Sequence, residues 1–365
     1  MLALVTAPDS ATGLKLAEFD EPQPAPNEAL VSVRATSLNR GELRLLAIRP
    51  NGWIPGQDIV GIVERAAADG SGPAIGARVA GLVDQAGWAE RVAVPTDRLA
   101  ILPDDVSFVS AATLPVAGTT ALRTLRHGGD LAGQRVLITG ASGAVGRFQI
   151  QIAHQQGASV TAVAAATHAE DLRALGAEQV VEAIELATGP FSLITESVGG
   201  ESLAHAIERI APGGTIVMFG SSSGELTPIG FRQFVPGHEG ARLQTFAYYT
   251  SGPSIGADIA SLLALVAAGR LETRVALTMP WTDIAQAVDA LRQRSFSGKA
   301  VLTISSTALP DHSDAEVEHL EGLGADTVIM GERAIARGMV EEVLSGHVEV
   351  AQASQTATNA TLSQP

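Results

Sequence analysis

Residues 135–156 read RVLITGASGAVGRFQIQIAHQQ, and the eight at the centre, Thr139-Gly140-Ala141-Ser142-Gly143-Ala144-Val145-Gly146, decide how the rest of the chain is organised. The apolar run 135–139 predicts a buried strand, 144–156 a helix and 159–164 a second strand, which together make a β-α-β unit with the Gly-rich loop at its first turn. A pyrophosphate needs backbone N–H groups aimed at it from a helix N-terminus, with no side chain to hold it off. Gly143 allows that close approach and Gly146 allows the helix to pack tightly on the strand. Gly140, Ser142, Ala144 and Val145 complete the expected cradle. Ala141 stands where the usual fingerprint has its first Gly, so a small residue is kept at the turn.

The end of the second strand distinguishes the two nicotinamide cofactors. An NAD site commonly closes that strand with Asp or Glu to bind the ribose hydroxyls, whereas here it runs into Ala164-Ala165-Ala166-Thr167-His168. With no carboxylate there to repel a 2′-phosphate, NADPH is the expected cofactor. Thr167 and His168 are its candidate contacts, with Arg173 farther off; the competing reading of His168 is a solvated loop residue. Downstream, helices at 170–175 and 203–210 alternate with strands at 180–181, 193–196 and 215–219. Strand and helix in turn imply a parallel, doubly wound sheet.

Upstream the texture differs. Residues 29–35 (ALVSVRA), 59–64, 78–83 and 89–94 are short β-rich runs separated by Pro55-Gly56, the 70–73 segment and Gly76, which predicts a barrel-like all-β unit over about residues 1–105. Amphipathic helices at 255–268 and 281–292 and a strand at 300–304 are expected to rejoin that unit. The chain has 365 residues, a net charge of −15 and no cysteine. The acidity argues against a nucleic-acid partner, and the missing cysteines exclude disulfides, thiolate zinc sites and iron-sulfur clusters. No apolar stretch is long enough to cross a membrane and the N-terminus lacks the pattern of a secretory leader, so the expected location is the cytoplasm.

Several segments in order resemble the medium-chain dehydrogenase/reductase superfamily: PNEALVSVRATSLN (26–39), PGQDIVGIVE (55–64), GARV (76–79), AATLPVAGTTA (111–121), the loop TGASGAVG, ESVGG (196–200), PGGTIVMFG (212–220) and GKAVL (298–302). The resemblance implies a GroES-like β-barrel domain, residues 1–114 with 255–305, and a Rossmann domain, residues 115–254. It is nearest the zinc-independent quinone oxidoreductases. Gly56-Gln57-Asp58 stands where zinc-dependent relatives have Gly-His-Glu, so no metal is expected, and His238-Glu239 reads as a loop pair. The implied activity is hydride transfer from NADPH to a quinone or an α,β-unsaturated carbonyl, in which the nascent oxyanion needs a hydrogen-bond donor.

By family position, Asn39 lies at the nicotinamide end and would order a ribose or substrate oxygen, against the alternative of a turn asparagine bonding its own backbone. Thr119 or Thr120 would approach the cofactor or cap a helix start. Gly220 and Ser221 would face the nicotinamide. Phe246, Tyr248 and Tyr249 would wall the substrate pocket, with either tyrosine as proton donor, or would simply pack. Relatives of this kind are often dimers, so a homodimer is expected.

Residues 306–365 hold ten acidic and two basic residues. Their 314–342 segment reads as helix, strand, helix and resembles the end of a potassium/proton antiporter nucleotide-binding domain, with a disordered end to follow. That piece and the lack of an obligatory proton donor motivate a second reading, a non-catalytic NADP(H)-binding redox sensor.

Overall fold

A computed structural model describes residues 1–304 except 11, 251 and 253. The acidic extension and its antiporter-like segment lie outside the described residues.

The chain opens with a hairpin of β1 (Leu2–Thr6) and β2 (Leu14–Glu18). There follow β3 (Glu28–Ser37), α1 (Arg40–Ile48), β4 (Asp58–Arg65), β5 (Arg78–Leu82), β6 (Arg91–Pro95) and β7 (Leu99–Ile101). The long strand β3 is the spine of this half: it pairs antiparallel with both β4 and β6 along its length. Its buried Ala29, Val31, Val33 and Ala35 explain why it read clearly from sequence. The short helix α2 (Phe108–Ala111) then leads into α3 (Pro115–Arg126), which carries Pro in its first turn, where a missing N–H costs nothing.

Six parallel strands make the second sheet: β8 (Arg135–Ile138), β9 (Ser159–Val163), β10 (Gln179–Val181), β11 (Phe191–Glu196), β12 (Ile210–Met218) and β13 (Arg242–Thr245). Their order is β10-β9-β8-β11-β12-β13, that of a Rossmann fold, and it reverses direction between β8 and β11. Helices α4 (Ala144–Gln155), α5 (Ala169–Ala174) and α6 (Gly200–Ile207) are the crossovers. The helix expected over 203–210 stops at Ile207, because Ile210 opens β12 and pairs with Phe191. Strand β13 escaped sequence reading because all four of its residues are exposed on the sheet edge and show no apolar pattern.

The chain then returns to the first sheet through α7 (Ile255–Ala267), β14 (Val275–Pro280), α8 (Ile284–Arg292) and β15 (Lys299–Thr303), with β15 pairing antiparallel to β3. This mostly antiparallel sheet has the order β14-β15-β3-β4-β5-β7, with β14 parallel to β15 and β6 pairing the first half of β3. One apolar core runs from this sheet (Val60, Ala80, Leu82) through α3 and α7 (Leu125, Leu262) to the parallel sheet (Val136, Ile138). Asp258 of α7 also binds Arg123 at 2.5 Å and Arg126 at 2.6 Å, which pins α7 to α3. Among the described residues no helix is long and apolar enough to cross a membrane.

Candidate active site

The Gly-rich loop leaves β8 at the switch point of the sheet, where parallel α/β proteins present ligands. Gly146 has no room for a side chain: a Cβ there would lie 2.6 Å from the Ala141 Cα, so α4 rests directly on the loop. Gly140 takes φ +58°, where a Cβ would also sit 2.6 Å from Ser197 Oγ. Gly143 differs. Its φ of −73° suits any residue, and a Cβ would have one close neighbour, the Gly140 carbonyl at 3.2 Å; the residue itself is exposed at the N-cap of α4. Ala141 is fully buried and its N–H donates to Val163 O, tying the loop to the end of β9. Ala144 and Val145 pack half-buried on the core. The Ser142 carbonyl accepts from Ser297 Oγ at 2.6 Å and Gly143 forms a parallel bridge with Gly298, so residues 297–298 lie against the loop, a pairing the sequence did not reveal.

The turn beside the loop is organised by Glu196, fully buried at the end of β11. Its oxygens accept from Thr139 Oγ1 at 3.2 Å, Ser202 Oγ at 3.0 Å and the N–H groups of Val198 and Gly199 at 3.0 and 2.9 Å. Glu196 belongs to the ESVGG segment, whose pattern alone does not assign it this role. Gly220 and Ser221 follow β12 and close on the same turn: a Cβ at Gly220 would come within 2.9 Å of Ser197 O, and Ser221 lies beside Gly199.

At the far end of β9 one expectation is corrected. Thr167 is exposed and His168 half-buried, and both lie on the short turn Ala166–His168. The strand itself ends without a carboxylate, but Glu182, just past β10, supplies one: its Oε1 accepts the Ala166 N–H at 3.1 Å. Parallel pairing of Val181 with Val163 brings it there, 16 residues away in sequence. Arg173 is exposed on α5.

At the opposite end four donors from three segments converge on Asp58, the first residue of β4. Its Oδ2 accepts from Ser37 Oγ at 2.5 Å, Asn39 Nδ2 at 2.7 Å and Lys299 Nζ at 3.0 Å, and its Oδ1 accepts from Val116 N at 2.7 Å. Asp58 is 0% exposed and Lys299 3%, so this is a buried ion pair whose desolvation is offset by a filled set of hydrogen bonds. Strand pairing explains the meeting, since β15 runs antiparallel to β3 with Val301 opposite Ser37, which sets Lys299 against the turn at Leu38 and Asn39. Asn39 ends this turn as the N-cap of α1, and its N–H donates to Glu42 Oε2 at 2.7 Å. Glu42 is 1% exposed and its Oε1 has no partner. Burial, and then the neighbouring Asp58, push its carboxyl up to about 8, against smaller opposing effects of the Asn39 amide and Lys299.

Gln57, beside Asp58, donates from Nε2 to the Tyr248 hydroxyl at 2.6 Å, joining the two halves of the molecule across 191 residues. Burial, followed by the charge of Asp84, raises the Tyr248 phenol well above its ordinary value. Tyr249 is 69% exposed and stacks edge-on against Tyr248, so only Tyr248 turns inward. Phe246 packs edge-on against His127. Thr119 and Thr120 sit in the second turn of α3, past any capping position; Thr119 is fully buried and its hydroxyl has no partner. The orphaned hydroxyl and the exposed Gly143 at a helix N-terminus are features that a bound dinucleotide would satisfy, so the residues fit a nicotinamide cofactor. His238 is committed to the Ile210 carbonyl at 2.6 Å, and Glu239 accepts from the Gly237 N–H.

Two family models match the chain, an alcohol dehydrogenase GroES-like domain over residues 25–104 and a zinc-binding dehydrogenase over 166–302. A spectinabilin polyketide synthase protein of Streptomyces orinoci is 34% identical over 320 residues, 83% of this chain but only 14% of the synthase. The 2-methylene-furan-3-one reductase of Solanum lycopersicum is 32% identical over 212 residues, covering 54% of this chain and 53% of the reductase. The chain thus spans only a small part of the first of these relatives and about half of the second. The quinone oxidoreductase structure from Coxiella burnetii superposes with a TM-score of 0.72 at 26% identity, covering 84% of this chain and 99% of that one.

Proposed function

Because the chain belongs to the medium-chain dehydrogenase/reductase superfamily, as a quinone oxidoreductase-like, NAD(P)H-dependent oxidoreductase with GroES-like and zinc-binding dehydrogenase domains, we propose that it uses NADPH to reduce a quinone or an α,β-unsaturated carbonyl without zinc. The observation that carries this reading is the exposed Gly143 at the N-cap of α4, set on the switch point of a Rossmann sheet. Residues 140–146 would hold the pyrophosphate, Thr119 and Ser221 the nicotinamide end, and Thr167 and His168 the adenosine end. When bound, the cofactor supplies a hydride.

The chain's own contribution is to orient and to donate. Asn39 offers an N–H to the oxygen on which negative charge collects. Tyr248 keeps its phenolic proton, since burial disfavours the phenolate, and holds it beside Gln57. Gln57 stands where zinc-dependent relatives carry a histidine ligand, and its amide is bonded to Tyr248, which supports a reaction assisted by donors.

The test is a fluorescence titration of chelator-treated protein with NADPH and NADH, followed by NADPH oxidation over a panel of enones, enals and quinones. Tight NADPH binding with turnover of one class supports the proposal. Binding without any turnover points instead to a redox sensor, and binding of neither cofactor removes both readings.

A further inference from the structure

Lys299 is a buried cation that no step above uses. It reaches Asn39 from 260 residues away and donates to three oxygens: the Leu38 carbonyl at 2.9 Å, Asn39 Oδ1 at 2.7 Å and Asp58 Oδ2 at 3.0 Å. Those three bonds use all the donors an ammonium has.

The consequence falls on Asn39. A primary amide has an oxygen that accepts and a nitrogen with two protons to give. Here the oxygen faces Lys299, and one nitrogen proton goes to Asp58 at 2.7 Å. Reversing the amide would set its NH2 against an ammonium and its oxygen against a carboxylate, losing two charge-assisted hydrogen bonds at once. One N–H remains uncommitted on a side chain that is only half-buried. Asn39 is therefore fixed as a donor. The N–H left over is what it presents to an incoming oxygen.

We infer that Lys299 is a positioning residue, which locks the Asn39 amide so that its free N–H points at the ligand oxygen, with Asp58 as the opposing clamp. The inference rests on the reductase reading insofar as the ligand oxygen is that of an enolate or a quinol. The lock itself belongs to the chain and is testable without turnover. A plain tether of β15 to its neighbours would need only the bonds to Asp58 on β4 and to the Leu38 carbonyl just past β3; the bond to Asn39 Oδ1 serves the amide.

Lys299→Met removes the lock, and Lys299→Met with Asp58→Asn removes it without leaving a buried carboxylate unpaired, which protects the fold. Asn39 is one of four asparagines, so selective 15N-asparagine labelling with Asn39→Ala as the assignment control isolates its amide protons. The lock predicts a distinct, slowly exchanging Asn39 NH2 pair in the wild type that shifts and exchanges faster in both Lys299 variants, while the other asparagines keep their signals. An unchanged Asn39 pair overturns the inference whether or not the protein turns over any substrate.

If the reductase reading holds, Lys299→Met should lower kcat about 100-fold, the scale of losing one oxyanion donor, with the KM for NADPH within about twofold. In an Asn39→Ala background the same change should have almost no further effect. Equal losses in both backgrounds would show that Lys299 acts on the fold and not through Asn39. A protein with the expected Asn39 signals but no turnover would refute the reductase reading and leave the lock standing.

Discussion

Glu42 offers a test by proton linkage. Its carboxyl is raised from an ordinary 4.5 to about 8, by burial first and by Asp58 second. Below pH 4.5 the group is protonated in both folded and unfolded chains and costs folding nothing. As the pH climbs, the unfolded chain releases this proton while the folded protein retains it, so stability falls by about 1.4 kcal/mol per pH unit. The loss continues until the folded carboxyl ionises near pH 8, by which point it amounts to about 5 kcal/mol.

Glu42→Gln keeps an acceptor for the Asn39 N–H and cannot ionise. It does bury an NH2 where Oε1 now has no partner, at a constant cost of about 1–3 kcal/mol. Every other titrating group is common to both proteins. Urea unfolding at pH 5.5, 6.5 and 7.5 should therefore show the difference, variant minus wild type, rising by about 1.4 kcal/mol per unit in favour of the variant. A difference that stays flat across this range would mean that Glu42 is already ionised in the folded protein and that the Asn39 end of the site carries one more negative charge than argued above.

Three further substitutions probe the cofactor cradle. Gly143→Asp suits the N-cap backbone of α4, so the protein should stay folded, but a carboxylate near the pyrophosphate costs about 4 kcal/mol; calorimetric titration should show NADPH affinity reduced about 1000-fold, and an unchanged Kd would refute the loop assignment. Gly146→Ala forces a Cβ onto backbone at 2.6 Å and should destabilise the protein by about 1–3 kcal/mol in thermal unfolding, whereas a wild-type midpoint would show that α4 can lift off the loop. Glu182→Gln removes a carboxylate from the turn beside the expected 2′-phosphate; NADPH should bind about tenfold tighter with NADH unchanged, and equal shifts for both would place the adenosine ribose elsewhere.

The legible parts of this protein were those written in short, local patterns. The Gly-rich loop announced itself because a strand, a turn and a helix N-terminus are set by residues within about one helical turn of one another, and Gly146 and Gly140 answer to contacts inside that same unit or its neighbouring turn. Strands such as β3 and β4 were legible because they are mostly buried and therefore apolar. Edge strand β13 has neither property and stayed invisible.

The chemistry of the site belonged to tertiary structure. Asn39 was nameable from its place in a motif, but its role as a donor is fixed by Lys299, 260 residues away. Two adjacent tyrosines had equal claims until packing buried Tyr248 against Gln57 and left Tyr249 in solvent. Glu182 reaches the end of β9 only because two parallel strands keep their register. Likewise the proton on Glu42 is a property of burial beside Asp58, which no spacing along the chain encodes. Sequence determined which residues could bind and donate, since backbone geometry and residue type are local. Only the fold decided which atoms were already spent on one another, because hydrogen bonds and charge interactions depend on distance in space.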